Sequence, residues 1–220
     1  MNRFTTFIAI CFTTLLLSCA GPPPVPEPGL EVLLHGHGQE MQVAADVDWS
    51  SYTKIVLHEA PVEFMDNWRR NQERLHGREI RDEDVARIEA AVSGRLAKAL
   101  YETLTERGGY ELTSESGPGV MVFWPNIVDL DVHATGWVQS GIIESVSDSR
   151  GSMTTELVIR DSVSDRLLAV AWQHQTDPRE SDMDMAMSVS NAQAFRLMSE
   201  NFATWILGHL DELGAGPQDQ

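Results

Sequence analysis

Basic residues are in short supply: 16 Lys and Arg stand against 33 Asp and Glu, a formal charge of −17. That balance excludes a nucleic-acid binder, whose phosphate contacts need a surplus of Lys and Arg. It also excludes electrostatic attachment to anionic lipid. Cysteine is nearly absent, with only Cys11 and Cys19 near the N-terminus. A disulfide scaffold is therefore excluded, and stability must come from a hydrophobic core. No apolar run is long enough to span a bilayer. The longest, Phe4 to Leu17, is diluted by four threonines and falls short of the ~20 residues that hydrocarbon requires. Missing too are GxSxG, a phosphate-binding Walker loop, GxGxxG, HExxH and CxxC, so the common nucleophile, nucleotide and zinc signatures give no catalytic residue. There is no internal repeat.

What is present begins at the N-terminus. Arg3 is the one charge ahead of the apolar stretch, which ends in Leu16-Leu17-Ser18-Cys19-Ala20-Gly21. A charged start, a short apolar segment and a small residue before the cut form the secretory plan. The site itself resembles the lipobox of bacterial lipoproteins, with Leu17 a departure from the small or polar residue usual there. The resemblance implies a diacylglycerol on the Cys19 sulfur, cleavage before Cys19 and acylation, as by palmitate, of the new amine. Ala20 stands where retained lipoproteins carry Asp, which implies sorting to the outer membrane, lipid-anchored on its periplasmic face. Each buried methylene contributes about 0.8 kcal/mol, so several chains together hold firmly where one does not. The expected organisation is a signal peptide at 1–18, a lipidated cysteine and proline-rich tether at 19–47, one globular domain at 48–213 and a disordered tail at 214–220.

Within the tether, Pro22 to Pro28 favours polyproline II and spans roughly 22 Å at about 3.1 Å per residue. Leu30-Glu31-Val32-Leu33-Leu34 is placed to dock as a short edge element. His35-Gly36-His37 offers two metal-type ligands without a third. In the domain, Lys54 to Glu63 reads as a first strand ending near Pro61, and 67–81 as a polar connector. Asp82 then caps a long helix, its acidic first turn complementing the dipole. Val85, Ile88, Val92, Leu96, Ala99, Leu100 and Leu104 give that helix one apolar face, and Gly109 is placed to end it. Tyr110 to Thr113 and Val120 to Val132 read as strands, the second interrupted at Pro125 by a bulge or an edge position. Residues 133–152 read as a loop. Thr154–Arg160 and Leu167–His174 form a hairpin around Asp161 to Arg166. A last helix begins near 188–191, with Phe195, Met198, Phe202, Trp205, Ile206, His209, Leu210 and Leu213 on one side and Gly214 after it. This order predicts an α+β fold: a two-layer sandwich of a mixed, mainly antiparallel sheet with two long amphipathic helices on one face.

The series Asp48-Trp49-Ser50-Ser51-Tyr52-Thr53-Lys54-Ile55, the Asp82-Glu83-Asp84 helix start, Gly117-Pro118-Gly119-Val120, Asp161 to Leu168 and a helix bearing Trp205, together with Cys19, resembles the Gram-negative lipoproteins of the domain of unknown function 3313 family. The resemblance covers about 48–213. That family brings no established activity, and so no catalytic residues.

The chemistry offers few candidates. Asp129 and Asp131 fall on one side of a strand, as a carboxylate pair or as a solvent-facing row. Met183, Met185 and Met187, with His174 upstream, form a thioether cluster suited to a soft cation such as Cu(I), or a lead-in whose methionines fill gaps in the core. Trp68 and Trp137 lie in polar segments where a core role is least natural, which makes them candidate contacts for a partner. The resulting expectation is a non-catalytic binding or assembly module of the cell envelope. It needs no cofactor and is held to outer-membrane lipid by its acyl chains, with an envelope protein as partner. The alternative is an envelope hydrolase or a metal-handling protein built on the methionine cluster.

Overall fold

The computed structural model of the protein describes residues 29–132, 151–176 and 191–217. Eight strands form a single sheet: β1 (Leu30–Gly36), β2 (Gln39–Ala44), β3 (Lys54–Leu57), β4 (Val62–Phe64), β5 (Glu111–Leu112), β6 (Val120–Asp131), β7 (Ser152–Asp161) and β8 (Leu167–Thr176). Their spatial order is β1-β2-β8-β7-β6-β3-β5, with β4 also beside β6. The run from β1 to β6 is antiparallel, while β3 and β4 lie parallel to β6 and β5 lies parallel to β3. The helices among the described residues are α1 (Trp68–His76), α2 (Asp82–Glu102) and α3 (Asn191–Glu212), with a wider turn at Thr103–Arg107 closing α2. The fold is α+β with a mixed, mostly antiparallel open sheet, as the element order predicts. Among the described residues no helix is long and apolar enough to cross a membrane.

The core lies between the sheet and the two long helices. Ile88, Val92, Leu96 and Leu100 of α2 and Phe195, Met198, Phe202, Ile206 and Leu210 of α3 are buried. They belong to one apolar cluster with Met41 of β2, Ile55 of β3, Met121, Phe123 and Ile127 of β6, Leu157 and Ile159 of β7, and Ala169 and Ala171 of β8. The helix stripes follow the 3.6 period and the strand residues the period of two, so each element buries one side by its own geometry. At the start of α2 the capping role falls two residues further in than expected. Arg81 precedes the helix, and Asp84, not Asp82, reaches back to accept a hydrogen bond from the Arg81 N–H at 3.3 Å.

Four expectations change. First, residues 30–44 belong to the sheet: the edge element expected at 30–34 is β1, and it continues into β2 as a hairpin on the edge of the sheet, turning at Gly38 with φ +75°. Second, Pro125 does not break β6, which runs on through it in the sheet interior. The Phe123 carbonyl accepts from His58 N, and Ile127 N donates to the Pro61 carbonyl. The missing Pro125 N–H thus falls where β3 has ended and β4 has not begun, so no ladder bond is lost. The irregularity comes later, between Val128 and Asp131, with Asp129 at φ +51°. Across it the buried positions change from odd (Phe123, Ile127) to even (Leu130, Val132), as an extra residue demands. Third, the connector expected at 67–81 contains α1. Fourth, part of the expected disordered tail is docked: Ala215 is buried, Gly216 N donates to the Tyr52 carbonyl, and Pro217 lies against Gly109.

Candidate functional site

Because α2 and α3 cover the side of the sheet that carries Phe123, Leu157 and Ala171, the intervening residues of β6, β7 and β8 point the other way. The register lines them up in two neighbouring rows. One runs Val170–Val158–Trp124 and the next Trp172–Glu156–Asn126, each step a directly opposed pair. Both rows continue onto β2, where Gln42 opposes Val170 and Glu40 opposes Trp172.

The two ends of this surface differ. On β2, Glu40 and Gln42 are buried despite their polarity. They are satisfied within the hairpin: Gln42 Nε2 donates to Glu40 Oε1 at 2.7 Å, and His35 Nδ1 meets Glu40 Oε2 at 2.6 Å. Burial of a carboxylate is tolerated only with such partners. Over β6 and β7 the surface is open. Trp124 is 48% exposed, unusual for an indole on a central strand. Its ring is stacked on the imidazole of His58 with centroids 3.6 Å apart and planes 8° from parallel. His58 is held there because its own N–H donates to the Phe123 carbonyl at 3.0 Å.

Beside this pair stands Glu156. Partial burial raises its pKa, the negative charges of Asp129 and Glu63 raise it further, and a hydrogen bond from Asn126 works against both. Two polar atoms in the same row, Asn126 Oδ1 and Trp172 Nε1, are buried without a hydrogen-bond partner among the described residues. His174, at the far end of β8, is exposed, and its Nδ1 sits 3.0 Å from Thr154 Oγ1. The surface therefore combines a fixed aromatic plate, a partly desolvated carboxylate flanked by two more acids, and unused hydrogen-bonding capacity. Its acids and imidazoles do not converge: among the described residues no group of three His, Cys, Asp or Glu is arranged to hold a metal.

The candidates read from sequence fare unevenly. Trp68 is a core residue and not a contact residue: it is 4% exposed, its ring stacks on Phe64 at 4.2 Å, and its Nε1 donates to the Val132 carbonyl at 2.7 Å. A polar segment made it look exposed, but α1 begins at Trp68 and turns that one large ring inward. Asp129 and Asp131 are separated by the bulge, and Asp129 has left-handed backbone, so they do not act as a regular same-side strand pair. His35 is tied to Glu40. Cys19, Trp137, Met183, Met185 and Met187 lie outside the described residues. Trp124, His58 and Glu156 were missed. The signal for them is parity: once Met121 and Phe123 are placed in the core, Trp124 and Asn126 must face outward.

Likenesses to solved structures are remote. A PelC dodecamer from Paraburkholderia phytofirmans matches with a TM-score of 0.37 and 7% identity, over 76% of this chain and 96% of that one. A putative neuraminyllactose-binding hemagglutinin homolog from Helicobacter pylori matches with a TM-score of 0.31 and 13% identity, over 75% and 89%. No curated protein matches the chain in sequence. The profile of the family described as protein of unknown function (DUF3313) matches residues 35–204, a span that takes in the second half of the β1–β2 hairpin, all the strands of the open surface and most of α3, and the chain belongs to that family.

Proposed function

We propose that the protein is a lipoprotein, anchored by acyl chains on Cys19 to the periplasmic face of the outer membrane, and that its domain is a non-catalytic binding or assembly module of the cell envelope. The observation that carries the binding reading is the asymmetry of the sheet. One side is sealed by α2 and α3, while the other presents the His58–Trp124 stack to solvent. A half-exposed indole on a central strand keeps apolar area in water that a partner would remove, at about 25 cal/mol per Å². The polar groups beside it, Glu156 and Asn126, are bonded to each other along the sheet instead of converging on one reacting atom as acid–base or nucleophilic chemistry requires. The anchoring reading rests on Leu16-Leu17-Ser18-Cys19 and on the proline run that follows it.

Two measurements test this. A photo-crosslinking residue at Val158, in the middle of the open surface, captures an envelope partner in cells, whereas one at Glu106, beyond the end of α2, does not. Intact mass of the membrane-extracted protein shows a chain that starts at Cys19 and carries acyl groups, and Cys19→Ser abolishes the modification. Equal capture from both positions overturns the binding surface, and an unmodified N-terminus elsewhere overturns the anchor. Turnover of an ester, peptide or glycan by the purified protein overturns the non-catalytic reading.

A further inference from the structure

Taking the binding-module reading as its basis, we propose that the open surface around Trp124 recognises a cationic segment of a protein partner, with a Lys or Arg side chain seated against the indole and between the carboxylates of Glu156, Glu63 and Asp129.

The surface is complementary to such a segment in charge. Glu156 opposes Asn126 across β6 and β7, which makes it the diagonal neighbour of Trp124. Diagonal cross-strand neighbours lie about 7–8 Å apart, within reach of long side chains. Glu63 is on β4, next to the Val62–Ile127 pairing, and Asp129 is at the β6 bulge. Both act electrostatically on Glu156. None of the three has a basic partner among the described residues. Two cations along neighbouring strands are already engaged: Lys54 Nζ lies 3.0 Å from Glu111 Oε2, and Arg160 Nη1 donates to the Asp165 carbonyl at 2.8 Å. Among the described residues, negative charge thus gathers around Glu156 on one diagonal of the exposed ring, while Arg160, on the other diagonal, is engaged with Asp165.

The other ligand chemistries fit less well. An anion would add repulsion to a chain of charge −17. A purely apolar partner would desolvate Glu156 further and leave it unpaired, which costs free energy. A bare metal ion needs convergent ligands, and these carboxylates stand on three separate strands without forming a three-ligand group among the described residues. A guanidinium or ammonium on a flexible stem satisfies both components, since it is attracted to the face of an indole and paired by carboxylates nearby. His58 holds the indole in place on one side, so little side-chain entropy remains to be lost on binding.

The test uses the purified protein with a hexa-arginine peptide and a hexa-citrulline peptide of equal length as probes, followed by calorimetric titration at low and moderate salt. The arginine peptide binds and the citrulline peptide does not. Trp124→Ala and Glu156→Gln each weaken binding about two- to fivefold, as expected for cation–π and exposed ionic contacts. Glu106→Gln, on the helical side, leaves it unchanged. If Trp124→Ala does not fold, Glu156→Gln and Glu63→Gln carry the test. Equal weakening by Glu106→Gln overturns the proposal, because attraction is then diffuse. Equal binding of both peptides, or preference for a neutral oligosaccharide, also overturns it. If Val158 still cross-links a partner in those cases, the binding surface stands and only its cationic specificity is lost.

Discussion

At the scale of single residues, the side chains that hold the structure together carry bonds that sequence pattern does not reveal. Asp161 closes the β7–β8 turn: its Oδ1 accepts from Val163 N, Ser164 N and Ser164 Oγ, and its Oδ2 accepts from Tyr52 Oη at 3.1 Å. Partial burial works to raise its pKa, but these hydrogen bonds outweigh it and the net shift is downward. A depressed carboxyl contributes stability that is present above the ordinary Asp value and lost as pH falls through the folded one. Asp161→Ala should cost about 1–3 kcal/mol at neutral pH, read from the urea midpoint, and should flatten the acid limb of the stability curve. Tyr52 behaves in the opposite sense. Burial, then the charge and hydrogen bond of Asp161, push it up to about 12. Its contribution is complete below the ordinary tyrosine value and is lost as pH rises through the folded one. Tyr52→Phe should remove that alkaline loss and cost about 1 kcal/mol below it, as urea titrations at several pH values would show. Trp68→Ala should be as damaging as loss of any buried aromatic, about 3–5 kcal/mol. A partner contact would instead leave the melting temperature unmoved.

At the scale of elements, legibility followed the strength of local periodicity. Helix α2 could be read residue by residue, because Ile88, Val92, Leu96 and Leu100 keep their spacing and all are buried. Leu96→Ala should cost about 2–5 kcal/mol, and Lys98→Ala, at an exposed pair with Glu102, should leave the thermal midpoint where it is. Equal midpoints for the two variants would mean that the wrong side of α2 had been assigned to the core. The β7–β8 hairpin was equally plain, since its strands alternate and its turn is rich in Asp and Ser. The β1–β2 hairpin was not, because Glu40 and Gln42 look like surface residues; they are buried by bonding to each other and to His35. Hydropathy carries no record of that pairing. Helix α1 is short and polar, and its principal apolar anchor is the Trp68 that the segment's polarity disguised. The open surface was the least legible of all, because it depends on which strands are neighbours. Trp124, Glu156 and Trp172 are brought together only by the register of β6, β7 and β8.

At the scale of the whole molecule, the sheet is not complete without residues that sequence pattern assigned to the tether. Met41 and Val43 of β2 belong to the main core. A chain beginning at Asp48 should therefore melt lower than the full protein and should aggregate, because its loss uncovers the edge of β8. A truncated chain of unchanged melting temperature would return the hairpin to the tether. The position of that hairpin also dictates an order of events. Gln39 bonds to Gln173, 134 positions further along the chain, so the first strands made are among the last to find their place. During synthesis the β1–β2 hairpin has no sheet to join until β8 has emerged. Such distant pairing is slow, because the entropy of closing the loop must be met before any contact rewards it. Until then the apolar side of β2 stays uncovered, and the nascent protein is most vulnerable at its beginning, just as its end is being completed.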